Sequence, residues 1–305
     1  MVSFINEYKS NKKVNFILSK YIPGFIKYLR DNKIVNDRSS YIALKHIEGF
    51  NKYLFYAYPK INIEDINENI IEEYKQFCYY ELKNNNKTIN YKLNSLGKFF
   101  KYLSKNLGLY EYNILLNVSK LKNEEEKKPT IISISQLNCI FNTMRSNIYG
   151  IRDICISKII LSTGLKINDV LNLELSAIHI SDSSCYIELF KNNVAVQYPI
   201  SSELAKDIRD YLLVRSTFNY QSISKNKVFL SESGKQYNIR SYQLFFKEAV
   251  ARNDFPPSFT PRSLRGTFLY NMSRVVSEDK LQEIASQKKV RQYYELKLNP
   301  LSKII

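Results

Sequence analysis

The apolar residues Ile89, Leu93, Leu96, Phe100 and Leu103 recur at helical spacing between Thr88 and Lys105, while the opposite face carries Lys87, Lys92, Lys98 and Lys101. That period commits the segment to an amphipathic helix with one buried and one solvated face. Thr88 stands where a helix start is capped, and Gly108 follows the end. The same period dominates the whole upstream chain. Strand-like alternation is rare before residue 180, and glycine and proline number only 8 each. Residues 1–118 therefore read as a helical domain.

Ser119 to Thr130 is a charged, apolar-poor run ending at Pro129-Thr130, the composition of an exposed linker, so a second domain is expected over 131–305. It opens with Ser135 as the cap of a helix, followed by an apolar helix from Ile151 to Ser162 closed by Gly164. The period then changes. Cys185 to Phe190 and Val194 to Ile200 alternate around Lys191-Asn-Asn, which predicts a β-hairpin. Helical spacing resumes at Glu203–Arg215 and Tyr242–Arg252. The expected fold class is mainly α, in two domains, with a small β-sheet in the C-terminal one.

At 305 residues both domains can bury a core, and the apolar share of 44% is that of a globular chain. Lys and Arg outnumber Asp and Glu by 45 to 29, a net charge of +16. Such a surplus favours polyanions, although a lysine-rich composition also serves solubility. Cys78, Cys139, Cys155 and Cys185 are scattered and His46 and His179 stand far apart, so neither a zinc site nor a disulfide framework is expected. The apolar stretch Ile154–Leu161 is too short to span a membrane and is broken by Lys158. Without a signal-like N-terminus, the expected location is cytoplasmic.

Several segments, in order, resemble the tyrosine recombinase (phage integrase, Xer-like) family. Lys87-Thr-Ile-Asn-Tyr-Lys-Leu-Asn-Ser-Leu-Gly-Lys-Phe-Phe-Lys-Tyr-Leu is similar to the last long helix of the family's core-binding domain, and Tyr110-Glu-Tyr-Asn to the turn that follows. Leu161-Ser-Thr-Gly-Leu-Lys-Ile-Asn-Asp-Val-Leu-Asn-Leu resembles the first arginine box, and Lys227-Val-Phe-Leu-Ser the run before the final helices. Thr260-Pro-Arg-Ser-Leu-Arg-Gly-Thr-Phe resembles the second arginine box, with Val290-Arg-Gln-Tyr-Tyr as the nucleophile segment.

The resemblance implies a site-specific recombinase or integrase that cleaves and rejoins DNA through a 3′-phosphotyrosine, without metal or small-molecule cofactor. Double-stranded DNA is the implied partner, bound in part by Lys87, Lys92, Lys98 and Lys101, with self-association into a dimer or tetramer on DNA and no membrane partner. Tyr294 is the implied nucleophile and Tyr293 its rival. Arg265 matches the second arginine, and its fork suits the charge that develops on a phosphate in such an attack. Lys166 stands where the family has its first arginine, and Asp169 follows it, either as support for the site or as a partner of Lys166. Arg262 replaces the box histidine: it can donate to a phosphate oxygen but cannot shuttle a proton near neutral pH. Lys191 matches the hairpin lysine that protonates the leaving oxygen. Ser286 or Gln287 lies nearest the usual His or Trp position. The tail Leu296–Ile305 docks either on a neighbouring protomer or on its own domain. The alternative is a catalytically impaired relative that binds DNA as an accessory or architectural protein.

Overall fold

The structure, a computed structural model, describes residues 17–32, 34, 37–122, 128–145, 149–191, 194–218, 224–287 and 289–296. The chain divides into two compact units, Met1–Glu126 and Lys127–Ile305.

The first unit contains helices α1 (Ile22–Asp31), α2 (Asp37–Ala57), α3 (Glu68–Tyr80) and α4 (Asn86–Leu107). All five apolar residues that mark the α4 stripe are buried. They join a core rich in rings: Phe25 meets Phe99 edge-on at 5.2 Å between centroids, and Phe50 meets Tyr74 at 5.0 Å. The start of α4 differs from expectation. Asn85, not Thr88, is the cap, and its side chain accepts from the Thr88 backbone N–H at 2.8 Å. Asn is among the strongest capping residues and sits one turn earlier. At the other end Gly108 takes the left-handed conformation, φ 64°.

The second unit runs through α5 (Ile134–Arg145), α6 (Gly150–Thr163), α7 (Ile167–Leu171), strands β1 (Ile178–Ile180), β2 (Cys185–Lys191) and β3 (Val194–Pro199), then α8 (Ser202–Ser216), α9 (Ile239–Ala251), α10 (Pro261–Met272), α11 (Glu278–Ala285) and α12 (Arg291–Tyr294). The hairpin is present, with Tyr186 opposite Pro199 and Lys191 opposite Val194. Strand β1 was not anticipated; it adds an antiparallel edge to β2, with Ile178 opposite Ile187. Three residues are too few to display an alternation. The cap of α5 is Ser133, whose hydroxyl accepts from Gln136 N at 3.3 Å while the Gln136 side chain accepts from Ser133 N at 2.9 Å. Ser135 lies inside the helix.

The run expected to be an exposed linker over 119–130 is tied down at its start. Asn90 exchanges two hydrogen bonds with the Leu121 backbone at 2.8 and 2.9 Å, and Asn86 donates to the Lys122 carbonyl at 2.7 Å. Downstream, Ile132 is fully buried and its N–H donates to Thr267 Oγ1 at 3.0 Å. Composition did not reveal these ties, because each uses a backbone group of Leu121, Lys122 or Ile132 rather than its side chain.

Helix α6 is buried on most of its circumference, the mark of a central helix, and α10 packs on it. Gly164 closes α6 at φ 63°, and a Cβ there would lie 2.3 Å from the Phe268 ring of α10. The glycine of the first box is thus required by the ring of the second, which brings the two boxes together. The last three helices share a small core of their own: Phe268, Leu269, Tyr270, Leu281, Ala285, Val290 and Tyr293 are buried together. Among the described residues, no helix is long and apolar enough to cross a membrane.

Candidate active site

Helix α10 starts at a capping box: Thr260 is the cap, Ser263 Oγ accepts from the Thr260 N–H at 3.2 Å, and Pro261 occupies the first turn. This start leaves Arg262 exposed and turns Arg265, one helical turn on, into the domain, where it is half-buried. Arg265 Nη2 donates to the carbonyl of Ala285, the last residue of α11. A guanidinium suits that position, since the final carbonyls of a helix lack partners and carry partial negative charge. Burial pulls the Arg265 pKa down; Tyr293, Asp169 and Tyr198 act to raise it, and Arg262 acts with burial. Asp169, on α7, therefore belongs to the surroundings of Arg265. Lys166 is exposed where α7 begins, its carbonyl accepting from Asp169 N at 2.8 Å.

Ser286 ends α11 in the left-handed conformation, φ 47°. Its place is that of a helix terminator, exposed, and the side chain that acts on Tyr293 comes from its neighbour Gln287. Gln287 also donates to the Lys289 carbonyl at 3.3 Å, which holds the turn leading into α12.

The two tyrosines of α12 have different surroundings, as a helical step of about 100° requires. Tyr293 is buried; desolvation raises its hydroxyl pKa, while Arg265, Arg262, Gln287 and Gln292 act to lower it. Tyr294 is half-buried, and its hydroxyl donates to the Val276 carbonyl at 2.8 Å. Burial raises its pKa too, but the charges beside it are Glu278 and Asp279. The Tyr294 hydroxyl thus bonds a carbonyl beside anions, whereas Tyr293 has two guanidiniums near it.

Lys191 ends β2, its backbone opposite Val194; its side chain lies outside the described residues. So does the tail beyond Leu296, which itself packs against the small core of α10–α12. Sequence reasoning missed Tyr198 and Gln292 near Arg265 and Tyr293, as well as the anchoring carbonyl of Ala285. Only the arginine box offered a signal for any of them. Among the described residues, no three His, Cys, Asp or Glu side chains gather as a metal site.

In the first unit, Lys87, Lys98 and Lys101 are exposed on α4. Lys92 is not on that face. It is half-buried, with its ammonium 3.5 Å from Cys78 Sγ and 5.9 Å from the Tyr74 ring centre. One residue beyond Tyr91, it is turned by about 100° toward α3.

Residues 131–297 match the phage integrase family, and the chain belongs to it. Tyrosine recombinase XerC of Alcanivorax borkumensis is 26% identical over 184 residues, 60% of this chain and 59% of that protein. Tyrosine recombinase XerC of Natranaerobius thermophilus is 26% identical over 203 residues, 63% of this chain and 64% of that protein. The match thus spans about three-fifths of the length of these relatives. The fold is similar to that of XerH site-specific recombinase bound to difH substrate in a pre-cleavage complex, with TM-score 0.68 and 14% identity over 93% of this chain and 96% of that one. A lambda integrase dimer bound to a COC′ core site gives TM-score 0.68 and 14% identity, covering 100% of this chain and 87% of that one.

Proposed function

We propose that this chain is a site-specific DNA recombinase whose nucleophile is Tyr293. The Tyr293 oxygen attacks a backbone phosphorus, forming a 3′-phosphotyrosyl bond as the bond to the 5′-oxygen breaks. The leaving 5′-oxygen takes its proton from Lys191, and the tyrosine proton passes to solvent. Attack by a 5′-hydroxyl of another strand reverses these steps, so bond energy is conserved in the phosphotyrosine. Arg265, Arg262 and Lys166 hold the non-bridging oxygens, and Asp169 keeps Arg265 oriented and charged. Lysine at 166 supplies charge without a bidentate fork, so Arg265 carries most of the planar recognition.

The observation that carries this reading is Tyr293, buried on α12 with Arg265 and Arg262 near enough to act on its hydroxyl, inside the segment that matches the family. Double-stranded DNA is the partner, consistent with the +16 charge and with the DNA bound to the XerH and lambda integrase relatives. Assembly as a dimer or tetramer on DNA belongs to the same proposal, and the lambda integrase dimer on its core site supports it.

The test is a nicked suicide duplex, carrying a site enriched from random DNA by binding, incubated with wild type, Tyr293→Phe and Tyr294→Phe. A covalent adduct with wild type and Tyr294→Phe, lost with Tyr293→Phe, is the expected result. Loss with Tyr294→Phe alone returns the nucleophile to that residue. DNA that is bound but never yields an adduct would identify an accessory binding protein instead.

A further inference from the structure

The outward face of α4 has a composition that the lysines alone do not explain. Its exposed residues Lys87, Tyr91, Asn94, Lys98, Lys101 and Lys105 follow one another at alternate spacings of four and three, a single solvent-facing stripe. No acidic residue occurs anywhere in the helix. Lysines flank the stripe on both sides of a centre formed by Tyr91 and Asn94. Tyr91 is 56% exposed, a large ring left uncovered by its own unit.

From this arrangement we infer that Asn94 reads an adenine in the major groove of the target duplex, with Tyr91 packed on the neighbouring base pair and Lys87 and Lys98 on the flanking phosphates. The inference rests on the DNA-binding reading above and adds to it a determinant of sequence. Lys87 and Lys98 are separated along the axis by about 16 Å at the helical rise. That distance straddles a major groove of about 12 Å, with flexible stems making up the difference. A charge-assisted contact to phosphate fixes register but carries no sequence information. Asn94 differs from its neighbours in having a donor and an acceptor in one plane, which matches the N7 acceptor and N6 donor of adenine. The Tyr91 ring offers an apolar face to a thymine methyl.

The backbone beneath these two residues is held in place. Ser95 Oγ donates to the Tyr91 carbonyl at 3.1 Å and meets His46 Nδ1 of α2 at 2.8 Å, while Leu93 and Leu96 on either side are buried. A reading side chain on such a support keeps its aim, which loops rarely achieve.

The experiment is selection of bound duplexes from a random library by the full chain, wild type against Asn94→Ala and Lys98→Gln, with thermal melts confirming that the exposed substitutions leave the fold intact. Wild type is expected to enrich a motif containing an A·T pair, and Asn94→Ala to lose preference at that pair by about tenfold with the rest of the motif unchanged. Lys98→Gln is expected to keep the motif, weaken binding evenly and reduce the salt slope by about one. Three outcomes overturn the inference. An Asn94→Ala motif identical to wild type removes Asn94 as a reader while leaving DNA binding intact. Binding by wild type without any motif does the same. A wild-type chain that retains no duplex overturns the DNA-binding reading as well.

Discussion

Helix α4 of the first unit and helices α10–α12 of the second both carry residues expected to meet DNA, yet they hold them in position by different means. Helix α4 is 22 residues long, and its period assigns faces with no help from the rest of the chain. The final helices are 12, 8 and 4 residues long, and what orients Tyr293 is a left-handed turn at Ser286 and an arginine bound to the Ala285 carbonyl. Neither device has a period. A long helix can therefore be read by its spacing, whereas a helix of one turn is oriented only by what it is tied to.

The largest expected effect breaks the tie itself. Arg265→Ala removes the proposed phosphate ligand and the anchor of α11 together, so adduct formation on the suicide duplex should fall by about 10²–10³-fold. Lys98→Gln on α4 should leave the cleavage rate of bound DNA unchanged. If Arg265→Ala weakened binding as much as cleavage, the arginine would be acting as another groove contact and the contrast between the two regions would fail.

The next comparison uses two glycines that share a conformation. Gly108 and Gly164 both close helices with φ near the left-handed minimum, at 64° and 63°. A Cβ at Gly108 meets nothing within 4 Å, but one at Gly164 falls 2.3 Å from the Phe268 ring. Gly108→Ala should cost about 1 kcal/mol for the backbone alone. Gly164→Ala adds overpacking of roughly 1–3 kcal/mol and moves α10, so it should also slow cleavage. Urea denaturation and the adduct assay measure both; equal losses would mean that the first and second boxes do not depend on each other.

These contrasts show what the sequence made legible. The stripe residues Ile89, Leu93, Leu96, Phe100 and Leu103 are buried as their spacing requires, and the hairpin forms where the alternation begins. Lys92 lies off the solvated face because it is one helical step of about 100° beyond Tyr91, and its stem lies along apolar surface to deliver its ammonium to Cys78 and Tyr74. The caps were displaced by two or three residues because Asn85 and Ser133 compete locally with Thr88 and Ser135, and only the backbone geometry decides. Tyr293 and Tyr294 are chemically identical and adjacent; Glu278, Asp279 and the Val276 carbonyl separate them, and all three come from the other side of the Ser286 turn. The family resemblance covered the boxes, but the choice between neighbours depended on tertiary contacts.

A smaller effect sharpens the cap assignment. Asn85→Ala should lower stability by about 1 kcal/mol through loss of the bond to Thr88 N–H, whereas Thr88→Ala, inside the first turn, should change it by a few tenths at most. Denaturation midpoints of the two variants would distinguish them, and the reverse order would restore Thr88 as the start of α4.

The smallest effect concerns pH and the support beneath Asn94. Burial, with help from the Lys92 ammonium, lowers the His46 pKa from its ordinary 6.5. The folded chain therefore binds this proton more weakly than the unfolded chain does. The stability that His46 contributes is complete above about pH 6.5 and is lost as pH falls through that value toward the lower folded pKa. His46→Gln keeps a polar partner for Ser95 but does not titrate. Subtracting its urea midpoints from those of wild type across pH 5 to 8 should leave a difference that favours wild type at the alkaline end and shrinks on acidification. A difference that grows on acidification would mean that the imidazolium is stabilised in the fold, and the contact with Ser95 would then have to be made by a charged ring.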